Sequence, residues 1–406
     1  MANTLSDVTI AMLAAAQPIL RKNTVLARLF NTSTADGVAA QKGDTISVPR
    51  VSVGAVQDVT PATTPQANNA LTAATTDISL NQHKFNGFTI TDKEFSEFTD
   101  NGIVPKALTA TIASLAHTID SYILDSIARS GGVYNYVNVA GSTPFAYNVS
   151  GSLRDAANAS KKLSKALTSE AFTPAPLEGR HIVLGTSAEA NAVMIDNLLD
   201  ASKRDSDITI REASLGRALG FDWHVDQSLD TTLGSSSLST MVNLATDSSS
   251  AANVAVGSNA CLLSSGTLDG ALLSGSVFSF SNDSEQTYVV TTAADSTVGD
   301  DGTVSCSFEP SLQKAITAGT ELVNIQTAFT PNIAFQEDAG VFASRPLSGG
   351  NLARELGATE ETLYDPVSGI AMRMQITREN YQTAVRVDVL YGFQMINPES
   401  ACWILG

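Results

Sequence analysis

Two runs in the last third of the chain, Asn332–Leu347 and Asp365–Gly406, constrain the fold most, because both are written in the period of a β-strand. In the second run Ile370, Met372 and Met374 share one side of an extended strand. Val385, Val387, Val389 and Tyr391 repeat the pattern after a break. A period of two places such residues on one face of a sheet. Glu379 and Asn380 between the halves predict an antiparallel hairpin. Nothing in either run is nucleophilic, metal-binding or phosphate-cradling, so this ending shapes a sheet and points away from catalysis.

Composition narrows the function classes. A chain of 406 residues is long enough for about two or three compact units. Its formal charge is −17, which argues against tight sequence-independent binding to nucleic acid. Only 16% of residues are charged, and small polar residues take their place. That balance suits extended β-structure and surfaces covered by copies of the same chain, though secreted adhesins share it. Cys261, Cys306 and Cys402 are scattered and odd in number, without a CxxC pair or a nearby histidine at ligand spacing. Free buried thiols are expected, with no disulfide framework. The apolar run Ile10–Ala16 has no basic segment before it and is too short to cross a bilayer, so neither a secretory leader nor a membrane span is expected.

Along the chain, residues 5–30 predict helical segments interrupted at Pro18, forming an arm that lies on the body or on a neighbour. Asp44–Val53 predicts a strand, and Asp77–Asp92 predicts its return. The connection 54–76 holds few large apolar residues, and a connection of that length suits a projecting hairpin. Pro105–Arg129 predicts a helix roughly 37 Å long, with Leu108, Ile112, Leu115, Ile119, Ile123 and Ile127 at spacings of three and four. Gly131 and Gly132 supply its stop. Helical patterns at 151–167 and 187–203 around the strand His181–Leu184 predict an α/β unit.

From Ser228 to Thr330 ten acidic residues face a single basic one, Lys314. Six strand-like runs recur there: Ser239–Leu244, Ala252–Val256, Leu272–Phe280, Thr287–Thr292, Thr303–Phe308 and Glu321–Ile325. Turn residues, Ser281–Ser284 and Gly299–Gly302 among them, separate the runs. The pattern predicts a small β-barrel or sandwich inserted in a loop of the α/β unit.

Candidate chemistry is sparse. Ser187 follows Gly185 and Thr186 between a strand and a helix, but the second glycine of a nucleophile elbow is missing, so helix capping is the expected role. His117 on the long helix is expected to be structural or solvated. Asp300 and Asp301 lack the regular oxygen series of a calcium loop. The Asn-x-Ser/Thr triplets at Asn31, Asn148, Asn158 and Asn282 carry no weight without a secretory signal. No catalytic, cofactor-binding or metal-binding residue is assigned.

The order of these elements resembles the Hong Kong 97-type major capsid fold of tailed bacteriophages. The inserted β-domain resembles the branch of the Salmonella podophage coat protein. The resemblance is carried by Thr45–Pro49 and the long helix after it, and by Gly220–Asp222 before the insert. Ala334–Phe335, Arg345–Leu347, Leu390–Gly392 and Asn397–Glu399 complete it. It implies an α+β fold divided as an N-terminal helical arm (1–43), an extended hairpin loop (44–92) and a peripheral domain with the spine helix (93–132). An axial α/β domain (133–227), an inserted β-barrel (228–330) and a β-rich return (331–406) follow.

It further implies a coat subunit that assembles with itself as pentamers and hexamers into an icosahedral head around double-stranded DNA. Contacts would run through the 44–92 loop and the insert, with a scaffolding protein and a portal as partners, weak contact with DNA and no membrane. Assembly in the host cytoplasm and a final place in the virion are the implied locations. The Lys–Asn isopeptide crosslink of one branch has no matching position here.

Two rival classes remain open to the sequence. One is a secreted carbohydrate-binding or adhesive β-rich protein with Trp223 and Tyr288 as sugar platforms. The other is a serine hydrolase using Ser187 with His181 or His224 and a carboxylate.

Overall fold

The structure, a computed structural model, describes residues 15–32, 45–52, 72–91, 93–94, 103–129, 133, 135–138, 142–146, 152–163, 176–199, 214–230, 242–244, 254–264, 274–291, 303–312, 314–317, 322–326, 329–347 and 359–406. Most of the expected hairpin connection, the Gly299–Gly302 turn with Asp300 and Asp301, the helix stop at Gly131 and Gly132, and Asn148 lie outside these residues. The chain divides into two compact units. One comprises Met1–Arg50, Ala73–Ile123 and Gly340–Gln394, and the other Val51–Thr72, Leu124–Ala339 and Met395–Gly406.

In the first unit, β1 (Thr45–Ser52) and β2 (Thr72–Ser79) form a two-stranded sheet. β3 (Gln82–Thr91) runs antiparallel to β18 (Gln382–Met395), from Gln82 opposite Tyr391 to Thr91 opposite Gln382. β17 (Ala371–Glu379) pairs with β18 on one side and β16 (Thr359–Tyr364) on the other, and β15 (Gly340–Ser344) joins the same sheet through β18.

The expected return strand Asp77–Asp92 is therefore two strands, not one. It breaks at Leu80 and Asn81 because its halves serve different partners. Gly392 makes room there: a Cβ on it would collide with the Ser79 carbonyl. The β17–β18 turn sits one residue later than the sequence suggests, at Asn380 and Tyr381, both with positive φ.

The long helix α2 (Ile103–Arg129) has 27 residues, about 40 Å of rise. Leu108, Ile112, Leu115, Ala116, Ile119, Ile123, Leu124 and Ile127 are buried along it, as the spacing requires, and His117 is exposed. Burying each large aliphatic side chain contributes about 1.5–3 kcal/mol, so this stripe stabilises the helix against what it packs on. Residues 15–23 form α1, which continues through Pro18 instead of breaking there. Its hold comes from tertiary contacts: Gln17 and Arg21, one turn apart, both donate to Asp365, at 2.9 and 2.5 Å. Beyond α1, Asn31 bridges Val341 in parallel, and Phe30 meets Phe393 edge to face at 5.0 Å.

The second unit contains a six-stranded sheet. Its order is β4 (Asn135–Val137), β19 (Ala401–Leu405), β14 (Pro331–Gln336), β5 (Arg180–Leu184), β7 (Phe221–Val225) and β6 (Arg217–Ala218). β4 and β19 are parallel, as are β5 and β7, whereas β14 is antiparallel to both of its neighbours. α3 (Arg154–Leu163) and α4 (Thr186–Val193) belong to one face. Ala156, Ala159, Leu163, Ala188 and Ala192 share a core there with Ile182, Leu184, Phe221, Trp223, Ala334, Cys402 and Ile404. The helical pattern expected at 187–203 ends at Val193, and a separate four-residue helix, α5 (Asp196–Leu199), follows.

Six further strands pair only antiparallel: β8 (Val242–Leu244), β9 (Ala260–Ser264), β10 (Val277–Phe280), β11 (Asp283–Val290), β12 (Thr303–Glu309) and β13 (Leu322–Gln326). Their ladders run β10–β11–β12–β9–β8–β13 and return to β10. The membership differs from the sequence reading. Of the expected strand Ala252–Val256, residues 252 and 253 lie outside the described residues and 254–256 form no strand, Val254 making a single bridge to Ile316, and β9 takes that place. Asp283 and Ser284, read as turn residues, open β11. The chain enters this ring after β7 and leaves it into β14, and both of those strands flank β5.

Candidate functional site

The residues that could have formed a hydrolase do not meet. His181 and His224 stand on the neighbouring strands β5 and β7, their rings 5.4 Å apart, with Phe335 5.9 Å from His181. Burial lowers the His181 pKa, and the charges of Asp222 and Glu337 act against that shift. The His181 Nδ1 is buried without a hydrogen-bond partner. Alternation along β5 puts His181 and Val183 on one face and Ile182 and Leu184 on the other. α4, which carries Ser187, packs on the Ile182–Leu184 face.

Three residue steps of strand, about 10 Å, separate His181 from Leu184 at the end of β5, beyond which α4 begins. Ser187 itself is exposed. Its expected capping role is also corrected: Gly185 is the N-cap, without a side-chain bond, and its amide donates to Asn332 Oδ1 at 2.9 Å. Asn332, buried, in turn donates to the Ile404 carbonyl at 3.1 Å. The Asn332 side chain thus ties β5 and α4 to β14 and β19.

The adhesin platforms fail as well. Trp223 is buried against Phe145, ring centroids 5.3 Å apart, and its indole N–H donates to the Ala218 carbonyl at 3.0 Å. Tyr288 lies inside the ring with Phe278, Phe280 and Phe308, all four fully buried and 5.3–6.3 Å apart between centroids. Neither aromatic presents a face to a sugar. Among the described residues no group of three or more His, Cys, Asp or Glu side chains could hold a metal ion. Among the same residues, no helix is long and apolar enough to cross a membrane.

The polar geometry instead holds backbone. Asp120, 1% exposed on α2, accepts from the amides of Val25 at 2.8 Å and Ala27 at 3.3 Å. Asp365, fully buried in the β16–β17 turn, accepts from Arg21, Gln17, the Ser368 hydroxyl and the Val367 and Ser368 amides. Burial by itself would raise the Asp365 pKa. The hydrogen bonds from Arg21, Ser368, Gln17 and the Val367 amide outweigh it and hold the carboxyl well below the usual carboxylate range.

These two acids are the residues that sequence reasoning missed. A signal existed for Asp120: it stands four residues after Ala116 and eight after Ile112, inside the apolar stripe of α2. A carboxylate there must be satisfied. No comparable signal marked Asp365, whose partners on α1, Gln17 and Arg21, lie more than 340 residues away.

The first unit also carries a partly exposed row of charged side chains across its sheet. Across β16, β17, β18 and β3, Glu360, Arg373, Asp388 and His83 form a charged row. Arg373 Nε donates to Asp388 at 3.0 Å, and His83 Nε2 lies 3.0 Å from the same carboxylate. Phe85, opposite Asp388, is 68% exposed, and Tyr381 at the hairpin tip is 83% exposed. Among the described strands β3 pairs with β18 alone, and β1 with β2 alone. β1 alternates buried Ile46 and Val48 with exposed Thr45 and Ser47, a ribbon apolar on one side and small and polar on the other.

No protein-family model and no curated protein matches this chain. Likenesses to solved structures exist. A structure from Mycobacterium phage Che8 is 14% identical, with 94% of this chain and 90% of that one covered and a TM-score of 0.47. The capsid of Cyanophage P-SCSP1u is 11% identical, covering 94% and 88%, with a TM-score of 0.46. The virus-like particle from Pyrococcus furiosus is 10% identical, covering 96% of both chains, with a TM-score of 0.43.

Proposed function

We propose that this chain is a structural coat subunit that assembles with copies of itself into a closed icosahedral shell. The observation that carries the reading is the make-up of the first unit. An arm, a two-stranded ribbon, a long helix and a returning sheet come from three separate stretches of chain and form one compact body. We read these as the elements of a Hong Kong 97-type capsid subunit, in the same order along the chain. The way the described polar residues are used supports the reading too, since they fasten backbone segments to one another and assemble no reactive group.

On this reading the subunit is not an enzyme. It forms pentamers and hexamers around double-stranded DNA, in a virion built in the host cytoplasm with a scaffolding protein and a portal as partners. The 44–92 hairpin loop lies over a neighbouring subunit. Residues 133–227 face the capsomer axis, and 228–330 form a separately folding insert on the outside. Size-exclusion chromatography and negative-stain imaging of the purified full chain test the proposal. Capsomers, tubes or closed shells are expected. A chain that stays monomeric at every concentration, with and without a co-expressed scaffolding protein, overturns it.

A further inference from the structure

Cys261 and Cys306, 45 residues apart in the chain, are brought face to face in the six-stranded ring. They are register partners on the antiparallel strands β9 and β12, and their sulfurs are 3.6 Å apart. Both are free thiols in the ring's core, packed among Leu263, Phe280 and Phe308. Opposed residues on antiparallel strands stand with Cα atoms about 4.5–5.5 Å apart. A disulfide bridges Cα atoms roughly 4.4–6.8 Å apart. The backbone is therefore already at bonding separation, and closing the sulfurs to about 2.05 Å needs side-chain rotation alone.

We propose that Cys261 and Cys306 are an oxidation site that a small-molecule disulfide converts into an intrachain bond between β9 and β12. Cys261, at 8% exposure against 1% for Cys306, is the more accessible sulfur and attacks first. Its thiolate displaces one small thiol from the oxidant and forms a mixed disulfide. The Cys306 thiolate then attacks the Cys261 sulfur and displaces the second small thiol. The two protein thiols lose two electrons and two protons in total, and the oxidant leaves as two thiols. The hydrogen bond with Cys306, and then burial, push the Cys261 thiol well above its usual range. Little thiolate exists in the closed ring, so the reaction proceeds through local opening of the β9–β12 ladder and is slow. Cys402 lies outside the ring, in β19, with its pKa raised to about 12 by burial. It stays reduced. This chemistry does not depend on the coat-subunit reading.

The test incubates the full chain with oxidised glutathione, quenches with acid, denatures, and labels the remaining thiols with a maleimide. Two of the three labels should be lost slowly, with the mass lower by two hydrogens and a peptide joining Cys261 to Cys306. Sub-denaturing urea should accelerate the loss. The oxidised chain should unfold at a higher urea concentration than the reduced one, and dithiothreitol should reverse the difference. Cys261→Ala and Cys306→Ala should each abolish ring closure, while Cys402→Ala leaves it intact. Retention of all three labels in the wild-type chain overturns the proposal, even with urea present. So does a product that stops at the mixed disulfide or that links Cys402.

Discussion

Replacing Asp120 tests how the arm is fastened. Its carboxylate is 1% exposed and accepts two amides from the segment that leaves α1. Alanine removes both acceptors, and each orphaned amide costs about 1–3 kcal/mol. A water entering the vacated space recovers part of that. The expected loss for Asp120→Ala is therefore about 2–5 kcal/mol. Asp120→Asn keeps one acceptor oxygen and turns an NH₂ towards an amide donor, so it should cost roughly half as much.

In a unit of this size each kcal/mol moves the melting temperature by about 2–4 °C. Alanine should lower it by roughly 4–20 °C, with the asparagine variant in between. Urea denaturation with a common slope measures the free energies, and amide exchange at Val25 and Ala27 locates the damage. The reasoning fails if the alanine variant unfolds within about 0.5 kcal/mol of wild type. It also fails if asparagine is the worse of the two, or if exchange at Val25 and Ala27 does not rise.

Three further outcomes are expected. Because the folded pKa of Asp365 is depressed, its contribution is fully present above the unfolded value of about 3.9 and is lost as pH falls towards the folded value. The stability gap between wild type and Asp365→Asn should therefore be constant near neutrality and shrink on acidification below that point, and a pH-independent gap would contradict the assignment. Gly392→Ala should cost about 1–3 kcal/mol or abolish soluble expression, because the new Cβ meets the Ser79 carbonyl; normal yield and melting temperature would show that β2 and β18 do not approach there. Phe278→Ala, at the centre of the ring's aromatic cluster, should cost about 3–5 kcal/mol locally, with exchange protection lost in 242–326 and kept in β5, β14 and β19; loss across the whole second unit would refute a separately folding insert.

The long helix was legible because one periodic signal fixed its type, length and buried face. Local alternation likewise marked β1 and the β17–β18 hairpin. What remained hidden depended on distant partners. The break between β2 and β3 is invisible locally, since Asp77–Asp92 alternates without a turn residue strong enough to stop it. It arises because β2 joins β1 while β3 joins β18. β9 escaped notice because Ala260–Ser264 is a short apolar run flanked by serines, and apolar runs of that length do not distinguish strand from buried loop. Trp223 and Tyr288 read as exposed platforms because composition carries no information about facing, and the paired strands turn both inward. The two ring cysteines looked scattered for the same reason: their proximity is a matter of register between β9 and β12.

The use of carboxylates links the composition to the fold. With 16% charged residues, the chain has few charges to spend on its surface, and several of its acids serve irregular backbone instead. Asp120 holds the chain after α1, and Asp365 holds α1 and its own turn. Asp155 accepts from Asn138 Nδ2 at 3.0 Å and the Phe145 amide at 3.3 Å. Asp226 accepts the Ser228 amide at 2.9 Å, where the chain leaves β7. Segments outside helix and sheet have amides that no ladder satisfies, and a carboxylate can accept several at once. Asp155, Asp226 and Asp365 sit where a regular element gives way to an irregular stretch, and Asp120 reaches such a stretch from the middle of α2. The four acids lie at separate points along the chain, and each accepts backbone amides there.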